Sequence, residues 1–90
     1  MSYVITINPL YEYNDGTEDL ECEPKLTVWF GMSDGSPEVE DVEITDADGS
    51  PISPTEAMRL ALQERDDHPD CFIDAAKEQG WKQKRSWGHL

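Results

Sequence analysis

An α+β domain, with an antiparallel sheet of three to four strands followed by two short helices packed on one face, is what this sequence predicts. Three observations carry the prediction. Apolar residues alternate with period two in the N-terminal half, that alternation gives way to helical spacing after Ser53, and each of the two helical segments opens on a proline.

The strands come first. Tyr3, Ile5 and Ile7 alternate with Val4 and Thr6 until Asn8-Pro9 removes a ladder donor. Tyr11 and Tyr13 continue the alternation, so a strand bent or bulged at Pro9 is expected, closing in the Asn14-Asp15-Gly16 turn. Thr17 to Pro24 sets Glu18, Asp19, Glu21 and Glu23 around Leu20 and Cys22 and reads as a short edge strand or an open loop, with the loop of edge character favoured. Lys25 to Met32 is the clearest strand, with Leu26, Val28, Phe30 and Met32 on one face and Lys25, Thr27 and Trp29 on the other, and it belongs at the centre of the sheet. Ser33-Asp34-Gly35-Ser36 supplies a two-residue hairpin turn, and Pro37 begins the returning strand near an edge. Val39, Val42 and Ile44 break strict alternation, which calls for a bulge near Glu40-Asp41 if all three are to reach the core. Asp46-Ala47-Asp48-Gly49 is a further turn.

Ser53-Pro54-Thr55-Glu56 is a capping box and starts a helix running to about Arg65 that buries Ala57, Leu60 and Ala61. His68-Pro69-Asp70 starts a second, ending at Gln79 with Gly80 as its C-cap. Phe72, Ile73, Ala75 and Ala76 form its apolar face, and Trp81 folds back on its last turn.

Ninety residues make one small domain, assigned to 1-81, with a short basic tail at 82-90. Eight aromatic residues and 37% hydrophobic content are more packing material than a disordered acidic tail holds. Met1-Ser2-Tyr3 opens without a basic or long apolar run, and Cys22 and Cys71 fit no disulfide framework or CxxC pair, so a cytoplasmic protein with two reduced thiols is expected.

Charge is the strongest functional signal. Residues 1-81 carry 20 acids against four bases, and the formal net charge is -13. Such a surface repels nucleic acid and anionic membrane and attracts basic proteins. The cations Lys82, Lys84 and Arg85, with Trp81 and Trp87, are too few to offset that field for polyanion binding, and pairing with acids of the chain or of a partner is the reading favoured for them.

Catalytic equipment is sparse. Aligning Gly49 with the glycine of a calcium loop puts Ile44 and Thr55 where carboxylates are required. His68, Asp70 and Cys71 meet at a helix start, but their spacing matches no metal motif, so a capping His and a half-buried Cys are favoured over the alternative of a metal or thiol site at His68 and Cys71. No catalytic triad order, phosphate loop or HExxH occurs, and neither an enzyme nor a cofactor is expected.

Two carboxylate groups remain as the candidate partner-binding site. Glu12, Asp15, Glu18, Asp19, Glu21 and Glu23 surround the first turn, and Glu38, Glu40, Asp41, Glu43, Asp46 and Asp48 follow the hairpin. Alternate strand positions lie about 6.6 Å apart, so adjacent rows begin to imitate a phosphate track. The expectation is a small acidic protein-binding protein, a DNA-mimic type inhibitor or modulator of a nucleic-acid-binding enzyme, with the compositional character of phage and mobile-element inhibitors. Its partner would be a basic protein surface, with no direct nucleic acid, no membrane and a dimer allowed. The alternative is an accessory subunit seated through Trp29, Trp81 or Trp87, whose acidic surface provides solubility only.

Overall fold

A computed structural model describes residues 2-82 and shows the expected α+β order: β1 (Tyr3–Ile7), β2 (Tyr11–Asn14), β3 (Asp19–Cys22), β4 (Lys25–Ser33), β5 (Ser36–Asp46), α1 (Pro54–Asp67) and α2 (Pro69–Glu78). The tail assigned to 82-90 lies, beyond Lys82, outside the described residues. β1, β4 and β5 form one antiparallel sheet in that order, with β4 central as its unbroken apolar alternation requires. β2 and β3 form a separate antiparallel hairpin.

That hairpin corrects two expectations. Tyr11 and Tyr13 do not extend β1: the chain leaves the first sheet at Asn8-Pro9, where proline offers no amide to the ladder, and starts a second one. The Asp19–Cys22 segment is a strand, not a loop, because β2 supplies a partner whose Tyr11 and Tyr13 face Cys22 and Leu20. Acid-rich sequence hides strand character when the backbone partner is itself unassigned.

One face of the three-stranded sheet is apolar in every strand. Tyr3, Phe30 and Val39 lie opposite one another, as do Ile5, Val28 and Val42, and Ile7, Leu26 and Ile44. The register shift between Trp29 and Phe30 leaves Glu40 without a partner on β4, and this bulge is what returns Val42 and Ile44 to the core side. Asp34 and Gly35 both take positive φ, 53° and 81°, as the two-residue turn between β4 and β5 demands.

Both helices cover that apolar face. Ala57, Leu60 and Ala61 of α1 and Phe72 and Ala76 of α2 are buried in one cluster with Leu26, Val28 and Phe30. Phe72 meets Phe30 edge-on at 5.1 Å between ring centroids. The capping box forms as read, with the Glu56 amide donating to Ser53 Oγ and the Ser53 amide donating to Glu56 Oε1, each at 3.3 Å. α2 ends in a Schellman motif, in which Trp81 N–H donates to the Ala76 carbonyl at 2.9 Å and Gly80 N–H to that of Lys77 at 3.1 Å. A φ of 103° at Gly80 makes the reversal possible, and Trp81 packs against the core beyond it.

Candidate acidic docking surface

All twelve carboxylates named from the sequence are exposed. They divide by what each side chain is already doing. Asp15 Oδ1 accepts from Thr17 N–H at 2.9 Å, the Thr17 hydroxyl at 2.7 Å and Glu18 N–H at 3.0 Å, which pins the first turn. The Thr17 hydroxyl bond, followed by the amide bonds, holds the Asp15 carboxyl below the usual carboxylate range. Asp19 accepts from the Asn14 side chain at 2.9 Å. Asp46 Oδ1 accepts from Asp48 N–H at 2.9 Å, and Asp48 Oδ2 in turn accepts from Glu23 N–H at 3.1 Å. That last bond is where the two sequence groups meet, joining the β3–β4 connection to the turn after β5.

On β5 the bulge decides the rest. Core residues Val39, Val42 and Ile44 point to the helices, so Glu38, Asp41 and Glu43, opposite Gly31, Trp29 and Thr27, stand on the other face. Glu40 lies across Gly31, where a Cβ would come within 2.9 Å of its Oε2, and its other oxygen accepts from the Ser2 hydroxyl. Its carboxylate therefore spans from β5 toward the N-terminal end of β1. Asp41 Oδ1 takes the amide of its neighbour Val42 at 2.8 Å. Among the described residues, no side-chain hydrogen bond engages the carboxylates of Glu12, Glu18, Glu21, Glu23, Glu38 or Glu43.

Neutralising contacts are few. Among the described residues, the Lys or Arg ion pair is Arg65 with Asp66 at 2.7 Å, and the twelve candidate acids enter none. Glu12 and Glu21 sit directly opposite each other on the hairpin, a like-charge pair a few ångströms apart. The remaining eight acids lie in the β4–β5 turn and on the helices, so negative charge is not confined to one side of the molecule.

The outer face of the three-stranded sheet differs from the rest of this surface in carrying apolar area among its acids. Trp29 is half-buried there, flanked by Val4 on β1 and Asp41 on β5, and Val4 is 40% exposed. Thr6, Thr27 and Glu43 form the neighbouring row, with Thr27 and Thr45 hydroxyls 2.6 Å apart. Of the tryptophans considered for seating in an assembly, Trp81 is taken up by packing against the core and Trp87 lies outside the described residues.

Two long-range contacts had no counterpart in the sequence reading. The Tyr11 hydroxyl donates to Glu56 Oε2 at 2.6 Å, so the capping carboxylate of α1 also anchors the hairpin. The bond and then burial push the Tyr11 phenol up to about 12, while the same bond holds the Glu56 carboxyl below its usual range. The Gln79 side chain accepts from Val4 N–H at 2.9 Å and donates to the Val4 carbonyl at 2.7 Å, closing the outer edge of β1 as another strand would.

The His68 and Cys71 alternative finds only a half-formed environment. His68 Nε2 lies 4.0 Å from Glu64, Cys71 is exposed, and Cys22 packs on β3 against the core. Among the described residues, no group of three or more His, Cys, Asp or Glu is placed to hold a metal ion. Nor is any helix among them long and apolar enough to cross a membrane.

Fold and surface thus define a small acidic α+β domain. Comparison with protein-family models, with curated proteins and with solved structures finds no match to this chain.

Proposed function

We propose that this chain is a small acidic protein-binding protein that covers a basic surface of a nucleic-acid-binding protein, competing for the site as a DNA mimic does. The observation that supports it most is the unpaired anionic surface: twelve exposed carboxylates enter no ion pair among the described residues. Among the described residues, no lysine or arginine takes up their attraction for a cationic partner.

A second reading, an accessory subunit seated through apolar contact, is favoured by Trp29 on the open sheet face. One experiment separates the two. Immobilised full-length chain is incubated with lysate at low salt, and bound proteins are eluted first by salt and then by short duplex DNA. Mimicry predicts nucleic-acid-binding partners released by both, with capture lost in a Glu38→Lys/Glu43→Lys variant. Partners indifferent to salt and duplex, but lost with Trp29→Ala, would establish the subunit reading instead.

A further inference from the structure

We propose that the outer face of the β1-β4-β5 sheet is the docking surface, and that its occupant is an arginine-bearing segment of a basic partner protein: Trp29 takes the plane of a guanidinium while Asp41 and Glu43 take its N–H donors. This rests on the acidic-binding reading above and names the surface and the cation it selects.

The geometry comes from register. Trp29 lies directly between Val4 and Asp41 across the sheet, and Glu43 stands two positions along β5 on the same face. Directly opposed side chains are about 4.5–5.5 Å apart at Cβ and diagonal ones about 7–8 Å, so one guanidinium over the indole reaches carboxylates on β5. Both helices pack on the opposite face, and the half-buried indole is not part of the core cluster they form with the sheet. Asp41 commits one oxygen to the Val42 amide and keeps the other, and Glu43 has no side-chain hydrogen bond among the described residues. Glu40 is drawn aside to Ser2 over Gly31.

Approach by strand addition at β1 is closed at Val4, where Gln79 takes both the amide and the carbonyl. On the β1 side an incoming segment therefore meets the face rather than the edge. Charge selects a cation, and the neighbouring indole selects arginine over lysine, since guanidinium stacks on aromatic planes and forks onto carboxylates while an ammonium is a strongly hydrated point charge.

The test is an amide and indole NMR titration of the isotopically labelled full chain at low salt, with a nine-arginine peptide and a nine-lysine peptide as probes. The expected result is that nine-arginine shifts the Trp29 indole and the Asp41 and Glu43 amides and binds about fivefold tighter than nine-lysine. Trp29→Leu should abolish that preference while leaving nine-lysine binding intact, and Asp41→Asn/Glu43→Gln should weaken both peptides. Equal binding of the two peptides, or shifts centred on Glu12 and Glu21 with Trp29 unmoved, would overturn this surface and leave the acidic-binding reading standing. Failure of either peptide to bind would defeat that reading as well. Trp29 shifts that depend on protein concentration without peptide would give the face to a second copy, and shifts produced by deleting residues 83-90 would give it to the chain's own tail; either overturns the proposal.

Discussion

The three-stranded sheet carries its strand acids on β5 alone, the β2–β3 hairpin carries them on both of its strands, and the two are held in different ways. The sheet has strands of five, nine and eleven residues and two helices over one face, with Leu26, Val28, Phe30 and Phe72 wholly buried. The hairpin has two strands of four residues, and a gap of about 650 Å³ bounded by Tyr13, Leu20, Gly49 and Pro51 lies beside it. Two-stranded hairpins are marginal in water. This one persists through Tyr11, which is 4% exposed, stacks on Tyr13 at 5.8 Å and donates to Glu56, and through the Glu23 to Asp48 bond. Carboxylates can crowd a layer safely when a deep core lies beneath them; on the hairpin the same crowding acts against the fold.

The largest break in this contrast should come from Phe72→Ala, which removes a fully buried ring from beneath the sheet. A cost of about 3–5 kcal/mol is expected, an appreciable share of the stability of so small a domain. Thermal unfolding followed by circular dichroism should shift downward as one transition, with sheet and hairpin lost together.

Tyr11→Phe should act more locally, at about 1 kcal/mol, seen as faster hydrogen exchange at hairpin amides with β4 amides little changed. Its pH signature has a definite sign. Because the folded-state phenol is raised from 10.0 to about 12, its stabilisation is present below pH 10 and is lost as pH rises through that window. Glu56 and Asp15 are lowered, so their contributions are present above the ordinary carboxylate range and are lost as pH falls through the depressed values. The Phe variant should lose the alkaline destabilisation assigned to Tyr11.

Smaller still, Glu21→Lys should stabilise the hairpin by roughly 0.5 kcal/mol by turning the Glu12 pair attractive. Added salt should raise the melting temperature of the wild type, and the gain should be smaller in this variant. A rise of equal size in both would show that repulsion between Glu12 and Glu21 is not what weakens the hairpin.

The same contrast explains what could be read from the sequence. β1, β4, β5, the Asp34-Gly35 turn, the capping box and the Gly80 reversal obey rules that act over a few residues, and even the bulge at Glu40 follows from the spacing of Val39, Val42 and Ile44. The separate hairpin does not. Its strands are only four residues long, its acids mask strand propensity, and its anchor joins Tyr11 to a carboxylate 45 positions away. Gln79 closes the edge of β1 across 75 positions, beyond the reach of any local pattern. Exposure of the twelve acids was legible from residue type. Their division was not, because only register places Asp41 and Glu43 beside Trp29 and only tertiary bonds commit Asp48 and Glu40 elsewhere.

The most direct test of the account is affinity for the nine-arginine peptide, measured by calorimetry at low salt, after charge reversal in each region separately. Asp41→Lys/Glu43→Lys on the sheet face should lower affinity at least about tenfold, while Glu12→Lys/Glu21→Lys on the hairpin should change it less than about twofold. Equal losses, or a larger loss from the hairpin pair, would contradict it.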